Sequence, residues 1–250
     1  MTSIASYSNS ASVSVLADIQ ALSNKTQLRL TSGKKVNSIT DDAVAFFRAK
    51  TLNDESRNFA SDATLIKEAS SLLSLTSTAI SALEDLLEQA LNAVVITDAT
   101  ARASALSALG AQADSIATSA TLNSQNLITA GDASFALNSG NFAITSLAMT
   151  ATVNTAAFSG FTSVSEVQTA LATVRNKLAI NQSTEAALTA RAAFEDARIR
   201  VFEEASTNLT AADLTEESAN LAALQTQQNI GFQSISLGNQ QIRQLVALVS

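Results

Sequence analysis

The last 37 residues of the chain carry a seven-residue repeat. Apolar or uncharged residues recur at every seventh position from Leu214, and a second set follows three residues later. The first set is Leu214, Leu221, Gln228, Ile235, Ile242 and Val249, and the second is Glu217, Leu224, Gly231, Gly238 and Leu245. This three–four spacing predicts a helix that packs along another helix. Because each glycine costs about 1 kcal/mol of helix propensity, we expect this helix to need a partner.

A matching pattern lies near the beginning of the chain. An amphipathic stripe starts at Val15 and continues through Ile19, Leu22 and Thr26 to Leu28 and Leu30. Gly33 then stands where a helix should end, since glycine readily adopts the left-handed conformation at helix C-termini. The first and last helices are similar in length and complementary in pattern, so we expect the two terminal helices to pair.

The longest predicted helix extends from Asp42 to about Thr97, or about 80 Å at 1.5 Å per residue. Asp41 and Asp42 precede it as N-cap and first-turn acid. Two adjacent stripes follow the helix, which means that more than one neighbour covers it. One stripe is Ile66, Ala69, Leu73, Thr76, Ile80, Leu83, Leu87, Ala90 and Val94, and the other is Leu65, Leu72, Ala79, Leu86 and Ala93. A shorter helix follows, with Leu106, Leu109, Ile116 and Ala120 on one face.

Residues 131–162 have a different character. Two short runs, 134–137 and 142–144, flank an Asn-Ser-Gly-Asn turn and predict a β-hairpin with a loosely ordered tail. Helical periodicity resumes at about Ser163 and ends around Thr210. The pattern leaves open whether one helix or two lie between these points.

Composition supports a mainly α fold: a long antiparallel helical rod or bundle with one small β-hairpin and paired terminal helices. Proline is absent, and only 4% of the residues are aromatic. The net charge of −7, with no basic patch, argues against nucleic acid or an anionic membrane surface as a partner. No apolar run is long enough to insert into a membrane. The chain has no His and no Cys, so it lacks an imidazole base and a thiol nucleophile. We therefore expect no enzyme activity, no cofactor and no metal site.

Three blocks of residues resemble bacterial flagellin. Residues 29–43, RLTSGKKVNSITDDA, are similar to the family block RLSSGxxINSAxDDAA. Residues 213–221, DLTEESANL, are similar to its D-Y-x-x-E-x-A-N-M run, and residues 239–249 to its closing ANQxPQxVLxLL segment. The resemblance covers roughly residues 10–127 and 165–250. The large variable outer domains of many flagellins are missing, so the chain resembles a short form.

The resemblance implies a structural subunit that self-assembles into the extracellular filament of the bacterial flagellum for swimming motility. It implies an inner terminal domain, residues 1–33 and 213–250, and an outer domain, residues 34–212. The partners it implies are other copies of the chain, an export chaperone, the filament cap and the hook-junction proteins, with export that leaves no cleaved signal peptide. We expect the assembly seam of the inner tube to comprise Val15, Ile19, Leu22, Leu221, Leu224, Ile235, Ile242 and Leu245. A helix-cap and subunit-contact block is expected at Arg29, Asn37, Asp41 and Asp42.

The resemblance also identifies a segment that toll-like receptor five reads in the family. Residues 87–96 align with the family sequence LQRVRELAVQ, and Gln89 and Leu91 replace its two arginines. We expect weak or absent receptor activation, which a reporter assay can measure.

Two other functions fit parts of the pattern. A hook–filament junction protein has the same terminal plan but forms at most a short ring. A non-exported coiled-coil scaffold accounts for the heptads but not for the matches at residues 29–43 and 213–221. Electron microscopy of the concentrated protein separates long filaments, short rings and neither.

Overall fold

A computed structural model describes residues 2–129 and 131–249, without the side chains of residues 2–12, 242 and 245–249. The described helices are α1 (Thr2–Ser32), α2 (Ala43–Val94), α3 (Ala99–Ser119), α4 (Thr150–Val153), α5 (Thr155–Ser159), α6 (Val164–Thr210) and α7 (Leu214–Val249). Strands β1 (Ala133–Phe135) and β2 (Phe142–Ile144) form a two-stranded antiparallel sheet in which Phe135 pairs with Phe142. The predicted fold class is confirmed: mainly α with long packed helices and one small hairpin.

The chain divides into two compact units. Unit 1 contains residues 1–54 and 202–250, and unit 2 contains residues 55–201. The inner domain expected from the sequence, residues 1–33 and 213–250, belongs to unit 1. Residues 34–54 and 202–212 belong to the same unit.

In unit 2, both predicted stripes of α2 lie in the core. Leu73, Ile80, Leu83 and Leu87 are fully buried, and Leu72 is 1% exposed. The second half of the α2 stripes packs against α3, α4, α5 and the beginning of α6. The first half packs around the hairpin and Leu188. Burial on two sides explains why α2 needs two adjacent apolar stripes.

Gly110 allows α3 to approach α5 closely. A Cβ atom at this position would lie 2.7 Å from Thr155 Cα and 3.0 Å from Phe158 Cβ. Asp114, one turn further along α3, accepts hydrogen bonds from the Thr155 amide and hydroxyl. The tail after the hairpin, expected to be loosely ordered, is therefore two short helices fixed against α3. Helices of four and five residues are too short to produce a periodic signal.

The hairpin turn is held by side chains from two helices. Asp62 of α2 accepts hydrogen bonds from the Asn138 amide at 2.7 Å and the Ser139 amide at 2.9 Å. Burial works to raise the pKa of Asp62, but these hydrogen bonds outweigh it and the pKa is lowered. Arg191 of α6 donates to the Gly140 carbonyl at 3.2 Å. These contacts fix the turn on the helices.

Residues 164–210 form one continuous helix, α6, which settles the question that the pattern left open. A capping box starts it, because Glu166 accepts from the Thr162 and Ser163 amides at 2.7 and 3.1 Å, and Ser163 Oγ accepts from the Glu166 amide at 3.4 Å. Asn181, in the middle of α6, is buried and donates to the Leu73 carbonyl and to Ser77 Oγ at 2.8 and 2.7 Å. The buried polar residue is thus satisfied without a break in the helix.

Candidate assembly interface

The two terminal helices, α1 and α7, pack against each other in unit 1, which confirms the predicted terminal pair. Three contacts set an antiparallel register. Arg29 Nη1 lies 3.0 Å from Glu217 Oε1, and Gln228 Nε2 donates to Gln20 Oε1 at 2.9 Å. A Cβ atom at Gly231 would lie 3.3 Å from Leu16 Cδ1, so the glycine lets the helices approach each other.

The described part of the seam between α1 and α7 is small and polar. Its buried residues are Ser23, Thr26 and Glu217, together with a single large apolar residue, Leu224, in the described part of the pair. Burial of an apolar side chain contributes about 1.5–3 kcal/mol, whereas a buried hydroxyl contributes little net stability. The pair is therefore weakly held by its own seam.

The α7 half of the predicted seam coincides with the face that packs on α1. Leu224 is buried, and Leu221 and Ile235 are half-buried. The side chains of Ile242 and Leu245 lie outside the described residues.

The α1 half is shifted by one residue at two positions. Ile19 is half-buried, but Val15 is 55% exposed and Leu22 is 53% exposed. Leu16 and Ser23 occupy the inward positions instead. Val15 and Leu22 are thus available to a neighbouring molecule rather than to α7 of the same chain.

Large apolar side chains cover the outward faces of the pair. Each member of this set is between 51% and 58% exposed: Val13, Val15, Leu22, Leu28, Leu214, Ile230, Phe232 and Leu237. Sequence periodicity missed Ile230, Phe232 and Leu237, because they fall outside the two heptad positions that define the predicted seam. The signal available in the sequence was the scarcity of charge in this segment. After Glu217, Arg243 is the sole charged side chain to residue 250.

The base of the pair is closed by the connectors that follow α1 and precede α7. Gly33, at φ +67°, ends α1 as predicted. Its carbonyl accepts from the Ala212 amide at 3.0 Å, and the Lys35 amide donates to the Thr210 carbonyl at 2.7 Å. The two chain segments therefore run side by side where α1 and α7 begin to pair.

The contact block of Arg29, Asn37, Asp41 and Asp42 lies around this base. Asp41 Oδ1 lies 2.9 Å from Lys25 Nζ, and Oδ2 accepts from the amides of Asn37 and Ser38 at 3.1 Å each. The hydrogen bond from Lys25, and then that from Asn37, lower the pKa of Asp41 to about 2. Asp41 therefore fastens the connector to α1.

Asp42 is the residue that caps α2. It immediately precedes the helix, and its Oδ1 accepts from the Ala45 amide at 2.9 Å. The cap thus lies one residue later than the sequence pattern placed it.

Comparison with known proteins decides the family. The family model described as the bacterial flagellin N-terminal helical region matches residues 5–134, just over half of the chain. The chain belongs to the bacterial flagellin family. Flagellin FljO of Caulobacter vibrioides is 27% identical to it over 245 residues, which cover 90% of each chain. Flagellins FljM and FljK of the same organism are 27% and 25% identical over 242 residues, which cover 89% of each chain.

These comparisons confirm the resemblance and the short form, since the aligned flagellins match this chain over nearly their whole length. As a flagellin, the chain is a structural subunit of the flagellar filament. The hook-junction and scaffold alternatives are not favoured. Among the described residues, no helix has the length and apolar character needed to cross a membrane.

In this flagellin, the two positions of the receptor segment differ in environment. Gln89 is exposed, whereas Leu91 is half-buried and packs against the core of unit 2. Leu91 also lines an open groove of about 640 Å³ with Glu88, Asn92, Gln168, Leu171, Ala172 and Arg175. Arg175 in that groove is engaged by Glu84 at 2.6 Å and Glu88 at 3.1 Å. The reduced receptor activation expected from the sequence stays a prediction.

Proposed function

We propose that this flagellin polymerises through its paired terminal helices, so that α1 and α7 form the inner part of a filament. The observation that carries the proposal is the ring of half-exposed large apolar side chains around a pair whose own seam is small and polar. In a single molecule, the exposed halves of these apolar side chains contribute no stabilisation, because they remain in water. Apolar patches of this kind mark sites of association.

The energetics favour assembly over isolated pairing. Ordering a residue costs on the order of 1–2 kcal/mol in backbone entropy, and the seam buries few large side chains to offset this cost. Each outward side chain that a neighbouring copy covers contributes on the order of 1 kcal/mol for its exposed half. Neighbouring copies therefore supply the stabilisation that the seam lacks.

We include the predicted domains and contact residues in this proposal. Residues 1–33 and 213–250 form the inner domain, and residues 34–212 form the outer one. Leu224, Leu221, Ile235 and Ile19 hold the pair within one copy, while Val15 and Leu22 contact a neighbour. We include Ile242 and Leu245 in the assembly seam on their heptad positions alone.

We extend the proposal to the location, the export route and the accessory partners. The filament lies outside the cell, and the chain reaches it by export without a cleaved signal peptide. An export chaperone, the filament cap and the hook-junction proteins are the accessory partners. The absence of proline and cysteine suits a chain that folds at the growing end, since neither slow prolyl isomerisation nor disulfide exchange delays it.

Replacing one outward apolar residue tests the proposal. Ile230→Asp places a charge on the outward face of α7, where it is 57% exposed in the single chain. The thermal unfolding midpoint of the monomer should stay unchanged, while sedimentation and electron microscopy should show loss of filaments. Val95→Asp is the matched control, because Val95 is 62% exposed in unit 2. Filaments of normal length and yield from Ile230→Asp would contradict the proposal.

A further inference from the structure

Each terminal helix carries one isolated charge. Asp18 is the sole charged side chain in the first 24 residues, and Arg243 is the sole one after Glu217. Both side chains are exposed, and neither has an ion-pair partner among the described residues. The two charges are opposite in sign, and they lie in segments that are otherwise free of charge.

These two charges cannot meet within one chain. The antiparallel register pairs Gln20 with Gln228, which places Asp18 level with about residue 230 of α7. Arg243 lies 13 residues further along the helix, or about 20 Å at 1.5 Å per residue. Side chains do not span that distance.

Assembly through the terminal helices makes an unpaired charge costly. Asp18 lies three residues after Val15 and four before Leu22, on the exposed apolar side of α1. Arg243 lies 11 residues after the exposed Phe232, which places both on the same side of α7. Covering these apolar residues also removes water from the neighbouring charge. A desolvated charge is destabilising unless it is paired.

We propose that Asp18 of one copy forms a salt bridge with Arg243 of a neighbouring copy. In a filament the contact is heterologous, because each molecule joins its α1 to one neighbour and its α7 to another. Heterologous contacts build open-ended assemblies rather than closed dimers. This inference rests on the proposed function, since it names the charge pair that fixes the register of the same interface.

The pair sets a stagger between neighbours. Within one copy, Arg243 lies about 20 Å along the helix axis from the level of Asp18. For Arg243 of a neighbouring copy to reach this Asp18, the neighbour's α7 must be shifted by about 20 Å along the axis, relative to the α7 of the copy that contains Asp18. Charge pairs of this kind fix register and penalise wrong alignments more than they add affinity. A filament reconstruction would measure this offset directly.

Charge reversal and exchange test the pairing. Asp18→Arg and Arg243→Asp each bring like charges together, so each should raise the critical concentration for polymerisation about tenfold or more. The double variant restores opposite charges and should return to within about threefold of the unchanged protein. Asp85→Arg is the control, because Asp85 is an exposed acid of α2 in unit 2, outside the proposed interface. It should have little effect.

The outcomes separate the two proposals. Failure of the unchanged protein to polymerise would count against the proposed function itself. Normal polymerisation of both single variants, or impaired single variants without recovery in the double variant, would overturn the salt bridge and leave the proposed function standing. Circular dichroism of each monomer checks that helix content is unchanged.

Discussion

The α1–α7 pair and the core of unit 2 both carry a heptad pattern, but the two regions differ in how many large apolar residues that pattern buries. In unit 2, Leu73, Ile80 and Leu87 occupy the buried stripe and are fully inaccessible. In the pair, Ser23 and Thr26 are buried, while Val15 and Leu22 are more than half exposed. The periodicity alone therefore does not distinguish a core that is stable within one chain from a surface that neighbouring molecules cover. The number of large apolar residues at the buried positions distinguishes the two.

Removing a large side chain from each region is the strongest test of this contrast. Leu87→Ala should lower the free energy of unfolding of the monomer by about 2–5 kcal/mol, because it leaves a cavity in a fully packed core. Leu22→Ala should change it by less than about 0.5 kcal/mol, because the side chain already faces solvent. Urea denaturation of the purified monomer measures both values. Equal destabilisation by the two variants would show that the terminal pair has a conventional apolar core.

The difference in buried apolar residues between the two regions also decides which parts of the structure the sequence predicts. The α2 stripes are evident because large apolar residues recur at heptad spacing from Ile66 to Val94, with only alanines and one threonine between them. The stripe predicted for α1 includes Thr26, which is buried, but it places Leu22 where the inward residue is Ser23, because a serine gives no hydrophobic signal. A heptad pattern of large apolar residues indicates a buried face only where large residues fill that face. The pattern does not locate a seam in which small polar residues are buried.

Local chemistry limited the prediction in other places. Two adjacent acids precede α2, and composition alone does not show which of them caps the helix. Asp42 accepts the cap hydrogen bond, while Asp41 binds Lys25 and the connector. That assignment depends on the path of the connector. The family, in contrast, was evident from three residue blocks and needed no geometry.

Two glycines sharpen the comparison with smaller effects. Gly110→Ala should destabilise the monomer by about 1–3 kcal/mol, because the new Cβ meets the backbone of Thr155. Gly238→Ala should instead stabilise α7 by up to about 1 kcal/mol, since nothing lies within 4 Å of the added Cβ and alanine favours a helix. Thermal denaturation followed by circular dichroism compares the two. A stabilised Gly110→Ala variant would mean that α3 and α5 are less closely packed than described.

The smallest effect is expected at Asp41, at the base of the pair. Its pKa of about 2 lies below the ordinary value of about 3.9. Because the folded-state pKa is the lower one, the carboxylate contributes stability that is fully present above about pH 4 and is lost as the pH falls through about 2.

Carbon-detected NMR titration of the Asp41 carboxyl gives its pKa directly. Lys25→Gln should raise that pKa towards its ordinary value, whereas Lys50→Gln should not, because Lys50 lies 3.7 Å from Asp54 instead. If Asp41 titrated near pH 4 in the unchanged protein, Lys25 and the connector amides would not bind its carboxylate as described.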